Sequence, residues 1–356
     1  MNLLRDIVKI LLSGHTLGQK KNYIKYLISR KGNVLGYDPV TISIVGTTRC
    51  TLNCDMCPTH SGKVSGDYPY KQKNIRDIDF EMFREMIDRF KNATTVHIIG
   101  SGEPLLNEDF FRMVDYAHQR KMIVKTFSNG TTIKKNMDNI LNSKLDGITI
   151  SLNGHDSKEF ARMTGAEEKV YDEIYAATKA LVDEKKKRGS GVKVKLSFII
   201  DRVNYRDIPK MVDIGLGLSV DHIFFCNFLA SPYSGLKADE RALFAEGGLT
   251  DELNAIFGKY PPEVRKKLTP PVLIDKTMSW NNCRSHFSQI RFDGDGNVSS
   301  CSMMLLNMCG NGNYRDPDVW NNVFFRNMRA KFLSGSMEAL PEPCLVCPDN
   351  KGVKIL

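Results

Sequence analysis

Cys50, Cys54 and Cys57 stand in the segment Thr47-Thr48-Arg49-Cys50-Thr51-Leu52-Asn53-Cys54-Asp55-Met56-Cys57. Thiolate is the natural ligand of iron–sulfur centres, and three thiolates at this spacing can wrap three irons of a cubane [4Fe–4S] cluster. The fourth iron then lacks a protein ligand, as a cluster requires if it is to bind a substrate or cofactor rather than only carry electrons. A closed zinc site is the plainer alternative, with Asp55 or His60 as fourth ligand. Against zinc, structural sites draw their second ligand pair from a distance, whereas these three cysteines sit close together directly after a strand-like run.

The chain of 356 residues has nine cysteines, and its charged residues Arg5, Asp6 and Lys9 interrupt the apolar opening where a secretory signal would need an unbroken run. Metal ligands or reactive thiols are therefore expected in preference to a disulfide framework. Apolar runs are too short for a membrane span, and the default placement is cytoplasmic. The net charge of +9 is scattered. Its one dense run, Glu184-Lys185-Lys186-Lys187-Arg188, reads as the solvated end of a helix. No nucleic-acid partner is expected, and the charge suits an anionic substrate or a lipid surface equally well.

Positioning these residues requires a repeating strand–helix alternation. Strand patterns fall at Val40–Val45, Thr95–Ile99, Ile123–Phe127, Gly147–Leu152, Lys193–Ile200 and Asp221–Phe228, with helical stretches such as Phe80–Phe90, Asp109–Gln119, Tyr171–Lys186 and Asp207–Gly215 between them. Strands separated by helices imply parallel βαβ units and an α/β fold, here a partial TIM-like (β/α)6 barrel over residues 40–230. In such barrels the active site gathers at the C-terminal ends of the strands. Residues 1–39 read as an amphipathic helical segment, with Leu3, Leu4, Ile7, Val8, Leu11 and Leu12 at helical spacing. That stripe packs on the barrel or makes peripheral membrane contact. Residues 231–275 read as a connector. From 276 to the end a smaller β-hairpin-plus-helix domain is expected, its turn at Asp293-Gly294-Asp295-Gly296-Asn297.

The Cys50-x3-Cys54-x2-Cys57 arrangement resembles the signature of the radical S-adenosylmethionine (radical SAM) superfamily. Gly100-Ser101-Gly102-Glu103-Pro104 resembles its Gly-Gly-Glu-Pro motif, and Ser128-Asn129-Gly130 and Ser151-Leu152-Asn153-Gly154 resemble its later strand ends. Two positions depart from the pattern: Met56 replaces an aromatic residue, and Ser101 replaces a glycine. The resemblance implies reductive cleavage of S-adenosylmethionine to a 5′-deoxyadenosyl radical that takes a hydrogen atom from the substrate, with a flavodoxin- or ferredoxin-type electron donor. It also implies that Ser101, Gly102 and Glu103 hold the cofactor's amino group. Asn129, Ser151, Asn153 and Arg162 are its further cofactor-binding candidates, Ser151, Asn153 and Arg162 toward the carboxylate and ribose. A salt bridge to Glu159 is the plainer role for Arg162.

Cys283, Cys301, Cys344 and Cys347 resemble the ligand set of the twitch domain, a shortened SPASM-type extension. The resemblance implies a second, fully ligated [4Fe–4S] cluster, although four thiolates would serve zinc as well. A saturated cluster suits electron transfer, so the layout resembles that of the 2-deoxy-scyllo-inosamine dehydrogenases and implies an oxidoreductase. Two thiols remain. Cys226 is inert packing, or it faces the interior and returns a hydrogen atom to a substrate radical, as a redox-neutral epimerase requires. Cys309 is a substitute ligand or a spare. The 1–39 segment is too short and too helical for the separate recognition domain of many peptide-modifying maturases. A small molecule, a sugar-like polyol or a lipid precursor, is the expected substrate.

Overall fold

The computed structural model describes residues 3–29, 32–57, 59–62, 77–229, 236–278, 283–302 and 311–355. Cys309 lies outside them. The six expected strands are present as β1 (Thr41–Thr47), β2 (Thr95–Gly100), β3 (Ile123–Ser128), β4 (Gly147–Ser151), β5 (Lys193–Ile200) and β6 (His222–Asn227), each parallel to the next. Helices α3 (Phe80–Arg89), α4 (Phe110–Gln119), α5 (Ile133–Asn142), α6 (Ser157–Thr164), α7 (Glu168–Arg188) and α8 (Ile208–Gly217) fill the crossovers, after α1 (Leu3–Leu12) and α2 (Leu17–Ile28). The α/β partial-barrel class read from the sequence is the class observed.

The strands alternate in a way that explains where the core lies. On β2, Val96 and Ile98 are fully buried, while His97 and Ile99 are half-buried. On β3, Val124 and Thr126 are buried and Phe127 is exposed; on β6, Ile223 and Phe225 are buried and Cys226 is exposed. Period-two alternation assigns the buried set to one face, against the helices. Helix α3 supplies Phe80, Phe83, Met86 and Ile87 to that layer, at helical spacing behind an Asp79 cap that accepts the Met82 N–H at 2.7 Å. The opposite face lines an open interior.

The sheet also continues past six strands. β7 (Leu268–Thr269), from the expected connector, pairs parallel with β6, and β8 (Leu273–Ile274) pairs antiparallel with β11 (Gly352–Val353). The expected hairpin forms from β9 (Gln289–Phe292) and β10 (Val298–Ser299), and β9 pairs parallel with β1. A single nine-stranded sheet results, in the order β10-β9-β1-β2-β3-β4-β5-β6-β7. The hairpin turn follows its sequence signal. Asp293 Oδ1 accepts the N–H groups of Asp295 and Asn297 at 2.8 and 2.9 Å, and Gly296 takes φ +80°, where a Cβ would stand 2.4 Å from the Tyr314 ring.

The Lys187 and Arg188 charges pair with Glu184 at 3.3 and 3.0 Å on the last turn of α7, as a solvated helix end should. Helix α1 buries only Ile10, and Leu4, Val8, Leu11 and Leu12 of its apolar stripe are exposed. No helix among the described residues is long and apolar enough to cross a membrane.

Behind the hairpin, Arg329 on the helix Val323–Leu333 is fully buried and has no carboxylate partner among the described residues. Its guanidinium donates to the carbonyls of His286, Trp320 and Asn33 at 2.9, 2.7 and 3.2 Å and lies 4.3 Å over the Trp320 ring. His286 is packed beside it, 4.4 Å from Phe332, and burial next to Arg329 pushes its imidazole down to about 3. The unfolded chain takes up this proton near its ordinary value of about 6.5 and the folded chain excludes it. Stability is therefore fully present above that value and falls as pH is lowered toward 3. Urea midpoints measured at about pH 7 and about pH 5 should differ less in His286→Phe than in the wild type. An equal difference would assign the acid sensitivity to another group.

Candidate active site

The loops that follow β1, β2, β3 and β4 meet above the open interior. Arg49 binds them from one side. Its Nε donates to Asp77 at 3.0 Å, its Nη2 donates to Asp77 and to the Leu106 carbonyl, and its own carbonyl accepts the Glu103 N–H at 2.7 Å. Gly102 lies against the same carbonyl, and a Cβ there would stand 1.9 Å from the Arg49 oxygen. Only glycine fits this crossing of the two loops.

Glu103 is almost wholly buried. Its carboxylate accepts the Ser128 hydroxyl at 2.9 Å, the Asn129 N–H at 2.6 Å and the Leu105 N–H at 3.2 Å. Burial pushes this carboxyl up, and the hydrogen bonds oppose the rise. Asn129 in turn donates from its side chain to Cys50 Sγ at 3.5 Å and to the Thr51 hydroxyl at 3.0 Å. Asn153, after β4, adopts φ +50° and accepts the Ile199 N–H at 3.2 Å, which joins its loop to β5. Asparagine is among the residues that tolerate this backbone region.

The three loop thiols are brought together. Burial pushes Cys54 up to about 12, and the neighbouring Cys57 and Cys50 add to the rise. Cys50 is raised by burial first and then by Cys57 and Glu103. The N–H groups of Thr59 and His60 point at Cys57 Sγ, at 3.4 and 3.3 Å. Such N–H···S contacts favour thiolate and tune iron–sulfur centres. The four C-terminal thiols form a second group. Cys344 is pushed up to about 12 by burial, then by Cys301 and Cys283. Cys347 is raised by burial, Asp349 and the same two cysteines. Among the described residues no three Cys, His, Asp or Glu side chains converge closely enough for one mononuclear ion, with or without Asp55 and His60. A cubane holds its irons at separate corners and so spaces its thiolates more widely than one ion does.

Below the loops is a cavity of about 550 Å³. Cys54, Cys57, Ser101, Gly102, Asn129, Ser151, Asn153 and Cys226, all singled out in the sequence, line it. Cys50 and Glu103 stand behind that lining. Arg162 also stands outside it and donates to both carboxylate oxygens of Glu159 at 2.7 Å, the plainer of its two readings. Sequence reasoning missed His97, Phe127 and Phe228, and Arg291 and Ser302 of the C-terminal segment, which complete the wall. The available signal was a polar residue interrupting an apolar strand, as His97 does between Val96 and Ile98.

A partial α/β barrel with a tri-cysteine loop over a cavity at its strand ends is the arrangement that the resemblance of the sequence implies. Residues 44–214, just under half of the chain, match the Radical SAM superfamily. The Fe-coproporphyrin III synthase of Methanosarcina barkeri is 27% identical over 47% of this chain and 39% of its own length. The pre-heme d1 synthase of Dinoroseobacter shibae is 27% identical over 51% of this chain and 42% of its own length. The chain thus spans well under half of both relatives. In fold it is similar to Streptococcus suis SuiB, solved bound to the precursor peptide SuiA. That likeness has a TM-score of 0.64 at 18% identity and covers 92% of this chain and 74% of the other.

Gly102→Ala tests the loop crossing. Forcing the two backbones apart should cost about 1–3 kcal/mol in denaturant unfolding and lower the iron bound by the first thiol set. A variant as stable and as iron-rich as the wild type would show that the crossing is not tight.

Proposed function

We propose that this protein is a radical SAM oxidoreductase that dehydrogenates a small substrate, with one [4Fe–4S] cluster on Cys50, Cys54 and Cys57 and an auxiliary one on Cys283, Cys301, Cys344 and Cys347. The observation that carries the reading is the gathering of seven thiols into two separate groups, the first of which reaches the cavity through Cys54 and Cys57. The donor sets suit these clusters: three thiols leave an iron open, and four leave none. When bound, these groups and S-adenosylmethionine supply hydrogen-atom abstraction and acceptance of one further electron, so that a carbinol loses two electrons and two protons overall.

The chain's own residues bind, orient and exclude water. The backbone of Ser101 and Gly102 and the side chains of Asn129, Ser151 and Asn153 offer the polar contacts for S-adenosylmethionine beside the open iron. Glu103 acts one layer back, fixing Asn129 and through it Cys50. The auxiliary group borders the same space: Ser302, which lines the cavity, follows Cys301, and Asp349, two residues after Cys347, acts on Cys226 and Arg291. Cys283, Cys301, Cys344 and Cys347 would hold the group, which would supply acceptance of the second electron there.

Anaerobic reconstitution should give roughly eight irons per chain in the wild type, and roughly four in either Cys50/Cys54/Cys57→Ala or Cys283/Cys301/Cys344/Cys347→Ala. Formation of 5′-deoxyadenosine should vanish in the first variant. Roughly four irons in the wild type and none in the first variant would sink the auxiliary cluster.

A second reading, a redox-neutral epimerase, is favoured by Cys226. Its thiol opens into the cavity from β6, and burial beneath the loops, together with Asp349, raises it and keeps the S–H bond. Its accessible surface belongs to the cavity, which reconciles the open thiol with its desolvation. Turnover of the enzyme in deuterium oxide, with an extract of its own cells as substrate source, separates the two. Oxidation predicts a product without solvent deuterium on carbon. Deuterium that appears with the wild type and is lost in Cys226→Ala would replace oxidation by epimerisation.

A further inference from the structure

The inner face of the barrel carries a row of residues that neither the cluster chemistry nor the cofactor contacts use. Register places Arg291 beside Ser43, Ser43 beside His97, and His97 beside Lys125, across β9, β1, β2 and β3. Partners in parallel register project to the same face of a sheet. Arg291 and His97 line the cavity. Lys125, Arg291 and Lys195 all act on the His97 ring, and with burial they push it down to about 4, so the imidazole is neutral near pH 7.

Arg291 is the unusual member. Its Nε is buried with no hydrogen-bond partner, and among the described residues its guanidinium forms no ion pair. Among the described residues Cys301 and Asp349 act on it, both through space. Ser43, between Arg291 and His97, is fully buried and also has no partner for its hydroxyl. A buried guanidinium left in this state loses its hydration without replacement, which is costly unless a ligand supplies the acceptor. The same cavity also presents an apolar surface, with Ile99, Phe127, Ile199 and Phe228.

We propose that the β9–β1–β2 wall binds an anionic group of the substrate, a carboxylate or a phosphate, with Arg291 as its principal ligand and the His97 N–H beside it. The inference rests on the cavity being the substrate site of a radical SAM enzyme, and it narrows the substrate to an amphiphilic anion. The planar guanidinium fork matches either group with two parallel hydrogen bonds. The apolar wall takes the remainder of the molecule.

Calorimetric titration of the anaerobically reconstituted full chain, with S-adenosylmethionine present, tests this with hexanoate, hexyl phosphate and neutral hexanol as probes. The wild type should bind one of the two anions at a single site, and that anion identifies the group. Hexanol should bind roughly tenfold more weakly or worse, and Arg291→Met should weaken the anion by a similar factor. Arg291→Lys, which keeps the charge and loses the fork, should fall between them and carries the comparison if Arg291→Met does not fold. Binding of neither anion by the wild type, equal binding of hexanol, indifference to both Arg291 variants, or loss of the anion when S-adenosylmethionine is added would each overturn the proposal. The last outcome would assign Arg291 to the cofactor's own carboxylate. Failure of the wild type to cleave S-adenosylmethionine under dithionite would instead sink the underlying reading of the site.

Discussion

A carboxylate that never reaches solvent holds the catalytic end of this barrel together. Glu103 accepts the Ser128 hydroxyl and the Asn129 and Leu105 N–H groups, while its own N–H is donated to Arg49. Three consecutive strand ends are thereby fixed to one another before any ligand is bound. The arrangement depends on desolvation: in water these hydrogen bonds would be exchanged freely, but buried they must all be satisfied together. Cys50 inherits its position through Asn129. The geometry of the cluster loop is thus set from the next strands and not from its own short sequence.

The interior of the barrel reverses the usual distribution of stability and chemistry. Apolar side chains such as Val96, Ile98, Val124 and Ile223 are packed outward under the helices, and the inward positions on the same strands are occupied by His97, Lys125, Phe127 and Cys226. Substitutions on the inner face alter what the cavity holds, whereas those one residue away alter whether the barrel stands. Period-two geometry alone separates the two roles.

Much of this was legible in the sequence, for physical reasons that also mark where legibility ended. The six parallel strands were visible because each is short, apolar and followed by a helix of its own. The hairpin was visible because Gly296 meets a backbone requirement that few residues satisfy. The first cysteine set was visible because Cys50, Cys54 and Cys57 stand within eight residues of one another, on one loop. Pairing between β9 and β1 left no local trace, since strands distant in sequence select each other through the completed sheet. The inward direction of His97 and Arg291 follows from register, and a shift by one residue would have turned either to the opposite face. The bidentate pair of Arg162 and Glu159 had the ordinary helical spacing of such pairs, which made it legible from the sequence.

The parallel pairing of β9 with β1 gives the C-terminal segment a second duty. β1 carries the loop of the first three thiols, and without β9 one of its two edges would expose an unsatisfied row of N–H and C=O groups next to the catalytic loop. Such an edge recruits other strands, including those of neighbouring molecules. The segment between Cys283 and Cys301 therefore also works as a guard strand. A barrel shortened before it would be a sticky, self-associating fragment rather than a smaller enzyme. The two segments are in this sense inseparable, since the ladder between β1 and β9 joins them in one sheet.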